Sequence, residues 1–129
     1  MDARESIVRD GLEVARRVAD QVGEVPPTLF VLRPSGTDWK NPIDLATPSE
    51  YARAADMLHA TAVVIVGSHT LIDADHPGVP VIRLYCGVVN ARGEVLVAGK
   101  QLRWADQPKW TEPSITAGPL PVAVTGWRV

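Results

Sequence analysis

Between residues 2 and 22, Ile7, Val8, Leu12, Ala15, Val18, Ala19 and Val22 recur at three- and four-residue spacing and make one apolar stripe. Arg4, Arg9, Glu13, Arg16, Arg17 and Asp20 occupy the remainder of that surface. This period predicts an amphipathic α-helix. Gly23 ends it and Pro26-Pro27 prevent its continuation. Gly11 lies inside the run, where glycine costs a helix about 1 kcal/mol relative to alanine.

The period then changes. "TLFVLRP", residues 28–34, is a short apolar run closed by proline and predicts a buried strand. "PSGTDWKNPIDLA", 34–46, is rich in turn residues, with Trp39 as its anchor and Ile43 and Leu45 able to pack down. In "TPSEYARAADMLHA", 47–60, Thr47 suits an N-cap, Pro48 the first helical position and Glu50 a capping box. A second helix is expected there, burying Tyr51, Ala54, Ala55 and Leu58, with His59 near its end opposing the dipole. "AVVIV", 62–66, is continuously apolar and β-branched, as a central strand would be.

"VPVIRLYCGVVNARGEVLVAGKQLRW", 79–104, reads as a hairpin turning at Ala91-Arg92-Gly93, with Asn90 opposite Glu94. Carried along both arms, that alignment pairs Val88 with Leu96, Cys86 with Ala98, Leu84 with Lys100, Ile82 with Leu102 and Pro80 with Trp104. This is an almost wholly apolar, core-side face. The other face carries Val89/Val95, Gly87/Val97, Tyr85/Gly99, Arg83/Gln101 and Val81/Arg103, with Tyr85 covering Gly99. Lys100 alone spoils the apolar side. Residues 105–129 hold four prolines and two tryptophans and are expected to form an irregular, ordered segment pinned by Trp110 and Trp127. A short strand is conceivable at 121–127.

These elements imply one α+β domain spanning residues 1–129. Its expected architecture is two-layered: a four- to five-stranded antiparallel or mixed sheet with two helices packed on one face. The order of helix, "TLFVLRP", "EYARAADMLHATAVVIVGSHTLID" and a glycine-turned hairpin resembles a family of small bacterial and bacteriophage α+β proteins. That family has no assigned activity, so the resemblance implies a fold and carries no site residues.

Composition removes several classes of function. Thirteen basic residues, ten of them arginine, balance fifteen acidic ones with no basic stripe, which gives nucleic-acid binding no electrostatic footing. No apolar run is long enough to cross a bilayer and the N-terminus lacks a signal-peptide core, so a cytoplasmic protein without membrane attachment is expected. A single cysteine, Cys86, allows no internal disulfide and no multi-cysteine zinc site. No cofactor is called for.

Two readings of function remain. "GSHTLIDADHP", 67–77, contains His69, Asp73, Asp75 and His76, an imidazole–carboxylate set of the kind that holds a catalytic zinc, manganese or iron. On that reading the protein is a metal-dependent hydrolase. The spacing argues against it, since adjacent Asp75 and His76 diverge in extended chain and aspartates in such loops ordinarily bond to backbone. Ser68 beside His69 lacks the surroundings of a nucleophile elbow. Arg33, Ser35, Gly36 and Lys40 could hold an anion but have no phosphate-loop spacing. The preferred reading is a non-enzymatic interaction or assembly module. It binds a protein partner or itself through Arg83, Tyr85, Gln101, Arg103, Trp104 and Trp110, the arginine–aromatic mixture that anchors interfaces.

Overall fold

The structure, a computed structural model, describes residues 3–44, 62–72, 74–75, 77–90, 92 and 94–120. One helix, α1 (Ala3–Val22), precedes strands β1 (Thr28–Arg33), β2 (Gly36–Thr37), β3 (Ile43–Asp44), β4 (Ala62–Ile72), β5 (Pro80–Asn90), β6 (Val95–Trp104) and β7 (Ser114–Leu120). They make one seven-stranded antiparallel sheet in the order β2-β1-β4-β5-β6-β7, with β3 also paired to β1.

This corrects the expected four- to five-stranded sheet carrying two helices. The sheet is larger, and α1 is the one helix among the described residues. The helix expected at 47–60, with Thr47, Glu50 and His59, lies outside the described residues. The additional strands are β2, β3 and β7, formed where turn-rich or irregular chain was expected, and β4 is longer than expected. β4 does not stop at Val66 but runs on to Ile72, its partners continuing through Ser68–Leu84 and His69–Arg83 to Ile72–Pro80. Its outer half opens with three consecutive polar residues, Ser68, His69 and Thr70, which show no strand periodicity and are held as strand by pairing with β5. Residues 114–120 of the segment expected to be irregular form β7 on the edge beside β6, while 121–127 and Trp127 lie outside the described residues.

Helix α1 forms where its period demands and buries Val8, Leu12, Ala15 and Ala19 against β4, β5 and β6. Each fully buried Val or Leu contributes about 1.5–3 kcal/mol. Gly23, at φ 87°, ends it with an N–H donated to the Ala19 carbonyl at 2.8 Å. Gly11 is a packing requirement: a Cβ there would fall on Cys86 Sγ. The segment after the helix is stapled to β4, with Val25 N donating to Ser68 Oγ at 2.8 Å and Ser68 N donating to Val25 O at 3.1 Å.

Alternation along the strands divides the sheet into two buried faces. Beneath α1 lie Phe30, Val64, Val66, Leu84, Cys86, Val88 and Val97. The opposite face gathers Leu29, Val31, Val63, Ile65, Tyr85, Val89 and Val95. Burial on both sides explains the unbroken apolar runs of β1 and early β4. Trp39 anchors the 34–44 stretch as expected, edge-on to Phe30 with ring centroids 4.8 Å apart.

The β5–β6 hairpin begins in the expected alignment. Asn90 N donates to Glu94 O, and Asn90 Oδ1 accepts from Arg92 N and Glu94 N, each at 3.0 Å. Val89 then faces Val95, but Val88 faces Val97. Leu96 is the extra residue of a β-bulge, and every pair beyond it moves by one: Cys86–Gly99, Tyr85–Lys100, Leu84–Gln101, Arg83–Leu102, Ile82–Arg103, Val81–Trp104. The straight register is thereby overturned, and with it the expected facing of β6. Gly99 now lies under α1, where a Cβ would press on Val8 and Leu12. Tyr85 covers Gly67 of β4 in place of Gly99. The bulge also removes the misfit that the straight register created, because Lys100 leaves the core side and is exposed on the other face.

Candidate docking site at the far end of the sheet

Opposite α1, three rows of side chains cross β4, β5 and β6 at the end away from the Asn90 turn. The register aligns Gly67–Tyr85–Lys100, His69–Arg83–Leu102 and Leu71–Val81–Trp104. Tyr85 is 3% exposed and stacks on the His69 ring, with centroids 4.8 Å apart and planes at 26°. The His69 ring meets Arg83, whose Nη2 lies 3.1 Å from His69 Nδ1. With that nitrogen accepting from the guanidinium, the neutral imidazole carries its proton on Nε2. Burial, and the adjacent Arg83 charge, lower the His69 pKa from its ordinary value, consistent with a neutral ring. Burial raises the Tyr85 phenol's pKa, partly opposed by Arg83.

Past this cluster the face opens into a pocket of about 280 Å³ lined by Leu71, Ile72, Val81, Arg83, Lys100, Leu102 and Trp104. Trp104 also lines a neighbouring groove of about 300 Å³ with Gln107, Lys109, Trp110 and Thr111. The chain reaches that groove through a turn in which Gln107 N donates to Trp104 O at 2.9 Å and Thr111 N donates to Leu102 O at 2.8 Å. The Arg103 guanidinium lies over the Trp110 ring, 5.1 Å from its centroid, and Trp110 Nε1 donates to Asp20 Oδ1 at 3.2 Å. No Asp or Glu is among the described residues lining either cavity.

The six residues expected to form one interaction surface are thus divided. Arg83 and Trp104 share the pocket, and Trp104 and Trp110 share the groove with Arg103 beside them. Tyr85 supports His69 from within. Gln101, 4% exposed on the α1 side, holds the Thr111 carbonyl through Nε2 at 2.7 Å and is structural. Lys100, Leu102, Leu71 and Lys109 belong to the surface although the straight register gave no reason to select them. The clue was Lys100 itself, since an ammonium in an otherwise apolar row signals that the row is misaligned.

Of the proposed metal ligands, His69 is a strand residue turned toward Arg83 and Asp75 lies in the turn after β4, while Asp73 and His76 lie outside the described residues. No group of three or more metal-binding side chains converges among the described residues. Ser68 points to the α1 face and His69 to the other, so they cannot act as nucleophile and base together. Burial, with Asp10 adding to it, holds the Cys86 thiol far above its ordinary pKa, which leaves the thiol inert. Among the described residues no helix is long and apolar enough to cross a membrane. Set against protein-family models, curated proteins and solved structures, the chain finds no match in any of them.

Proposed function

We propose that this chain is a non-enzymatic interaction module that docks a protein partner, a second copy of itself being the first to test, at the far end of its sheet around Trp104. The observation that carries this reading is the pair of adjoining cavities that share Trp104, one edged by Arg83 and Lys100, the other by Lys109 and Trp110. Trp and Arg supply large contact area at the centre of interfaces, and surrounding cations select a partner bearing negative charge. The residues stand ready at little ordering cost, because Arg83 is held by His69, and Arg103 by Trp110 and by Gln107 O at 3.4 Å.

Sedimentation velocity across a wide concentration range tests it, with Trp104→Ala, Lys109→Glu as the surface variant and Arg9→Glu on exposed α1 as the control. Association that weakens in the surface variant and survives in the control is the expected result. A strict monomer whose behaviour neither variant alters contradicts the reading.

A further inference from the structure

Two buried polar atoms on the α1 side of β6 call for the same ligand. Gln101 and Arg103 are two residues apart on that strand, opposite Leu84 and Ile82, so both side chains leave one face. Gln101 is almost fully buried, and its Nε2 donates to the Thr111 carbonyl at 2.7 Å. Its Oε1, equally buried, meets no donor among the described residues. Turning the amide over would set Oε1 against that carbonyl, so Thr111 fixes its orientation. Arg103 is half-buried, its guanidinium over the Trp110 ring and one terminal nitrogen donating to Gln107 O at 3.4 Å. Its Nε–H is buried and meets no acceptor among the described residues.

A buried donor and a buried acceptor each forfeit their hydration, and native structures place ordered water at such points. Charge narrows the choice of ligand. An anion drawn to Arg103 would face the lone pairs of Gln101 Oε1, and a cation drawn to Oε1 would face the guanidinium. One water satisfies both, accepting from Arg103 Nε and donating to Gln101 Oε1. The span agrees: residues two apart on a strand have Cβ atoms about 6.6 Å apart, and a water bonded at about 2.9 Å on each side bridges about 5.8 Å.

We propose a resident water site between Gln101 Oε1 and Arg103 Nε that fastens the 105–113 segment to the sheet. The same two side chains already hold that segment through Thr111 O, Gln107 O and the Trp110 ring. Thr111 is paired with Leu102 in both directions, its N donating to Leu102 O at 2.8 Å and its Oγ1 accepting from Leu102 N at 3.0 Å. Trp110 and Thr111 also wall the groove of about 300 Å³, so the water stiffens that wall from behind. The site stands whether or not the groove docks a partner.

NMR magnetisation transfer from water in the full chain tests it. Laboratory-frame and rotating-frame transfer of opposite sign at Arg103 Hε marks a resident molecule and is expected, with the same signature at the Gln101 side-chain amide. Arg103→Lys keeps a cation but puts carbon where Nε stood. It should abolish the signature at Gln101 and speed hydrogen exchange of the Thr111 amide about tenfold, the loss of one hydrogen bond to a charged group. Lys109→Gln, on the exposed side of the segment, should change neither. A crystal structure fixes the geometry, the expected result being a water within about 3.2 Å of both atoms. A direct bond between Nε and Oε1, a chloride in that place, no resident signature at Arg103 Hε, or a signature at Gln101 that persists in Arg103→Lys overturns the proposal.

Discussion

Gly99→Ala separates the bulged hairpin from the straight one by the sign of its effect on stability. In the straight register Gly99 sits opposite Tyr85, away from α1, where a methyl group meets no helix. Replacing an interior glycine of a strand there should stabilise by about 0.5–1 kcal/mol through reduced unfolded-state freedom. In the observed register Gly99 pairs with Cys86 beneath α1, and a Cβ built on it comes 2.5 Å from Val8 Cγ1 and 3.1 Å from Leu12 Cδ1. Val8 is fully buried and, being β-branched on a helix, cannot swing to another rotamer, so the helix must lift or the strand must sink. Overpacking of this kind costs about 1–3 kcal/mol, which leaves a net loss after the entropic gain. Urea unfolding with an unchanged m-value measures it directly. A double-mutant cycle identifies the contact: Val8→Ala leaves a void that the new methyl group partly fills, so the pair should be less destabilised than the sum by about 1 kcal/mol. A stabilised Gly99→Ala, or no coupling to Val8, would refute the placement.

The lowered His69 pKa means that the folded chain resists a proton the unfolded chain accepts, so this contribution is complete above the ordinary value of 6.5 and is lost as pH falls through it toward the folded value. Between about pH 7.5 and 5.5, wild-type stability should therefore drop more steeply than that of His69→Gln, and equal slopes would show that burial, with Arg83 beside it, does not disfavour the charged ring. Asn90→Ala removes two side-chain hydrogen bonds to backbone within the turn and should cost about 1–2 kcal/mol, read by denaturant midpoint, while Asn90→Asp keeps the acceptor and should cost less. Cys86 should be silent to an aromatic disulfide reagent in the native protein and react in full after unfolding in urea; prompt native reaction would contradict its burial under Gly11. Gly11→Ala should destabilise despite alanine's better helix propensity, because the added carbon falls on the sulfur.

Elements whose period is long and whose ends are marked by glycine or proline were legible in the chain. α1, β1 and the start of β4 lie where hydrophobic spacing places them, and Trp39 anchors its loop as its isolation among turn residues suggested. What escaped were features set by tertiary pairing. The second half of β4 begins with three polar residues in a row, Ser68 to Thr70, and only its eleven-residue ladder with β5 reveals it as strand. β7 contains glycine and proline and is held by its place beside β6, which local propensity does not report. The bulge at Leu96 has the widest consequences, because strand facing has a period of two and one inserted residue inverts everything beyond it. The straight register places Trp104 on the core side and Gln101 on the open face, and the bulge exchanges both, which also turns Lys100 from a misfit into an exposed residue. The pairing His69–Arg83 crosses β4 and β5 at a separation of fourteen residues, so no reading of the 67–77 stretch in isolation could have found it.

The placement of Arg83, Lys100, Leu102 and Trp104 on one face is what the docking account stands on, and inter-strand Hα–Hα contacts by NMR report it without a mutation. The bulged alignment predicts cross-peaks among partners such as Leu84 with Gln101 or Arg83 with Leu102. Cross-peaks joining Leu84 to Lys100 or Ile82 to Leu102 would contradict it, returning Lys100 to the helix side and dissolving the pocket.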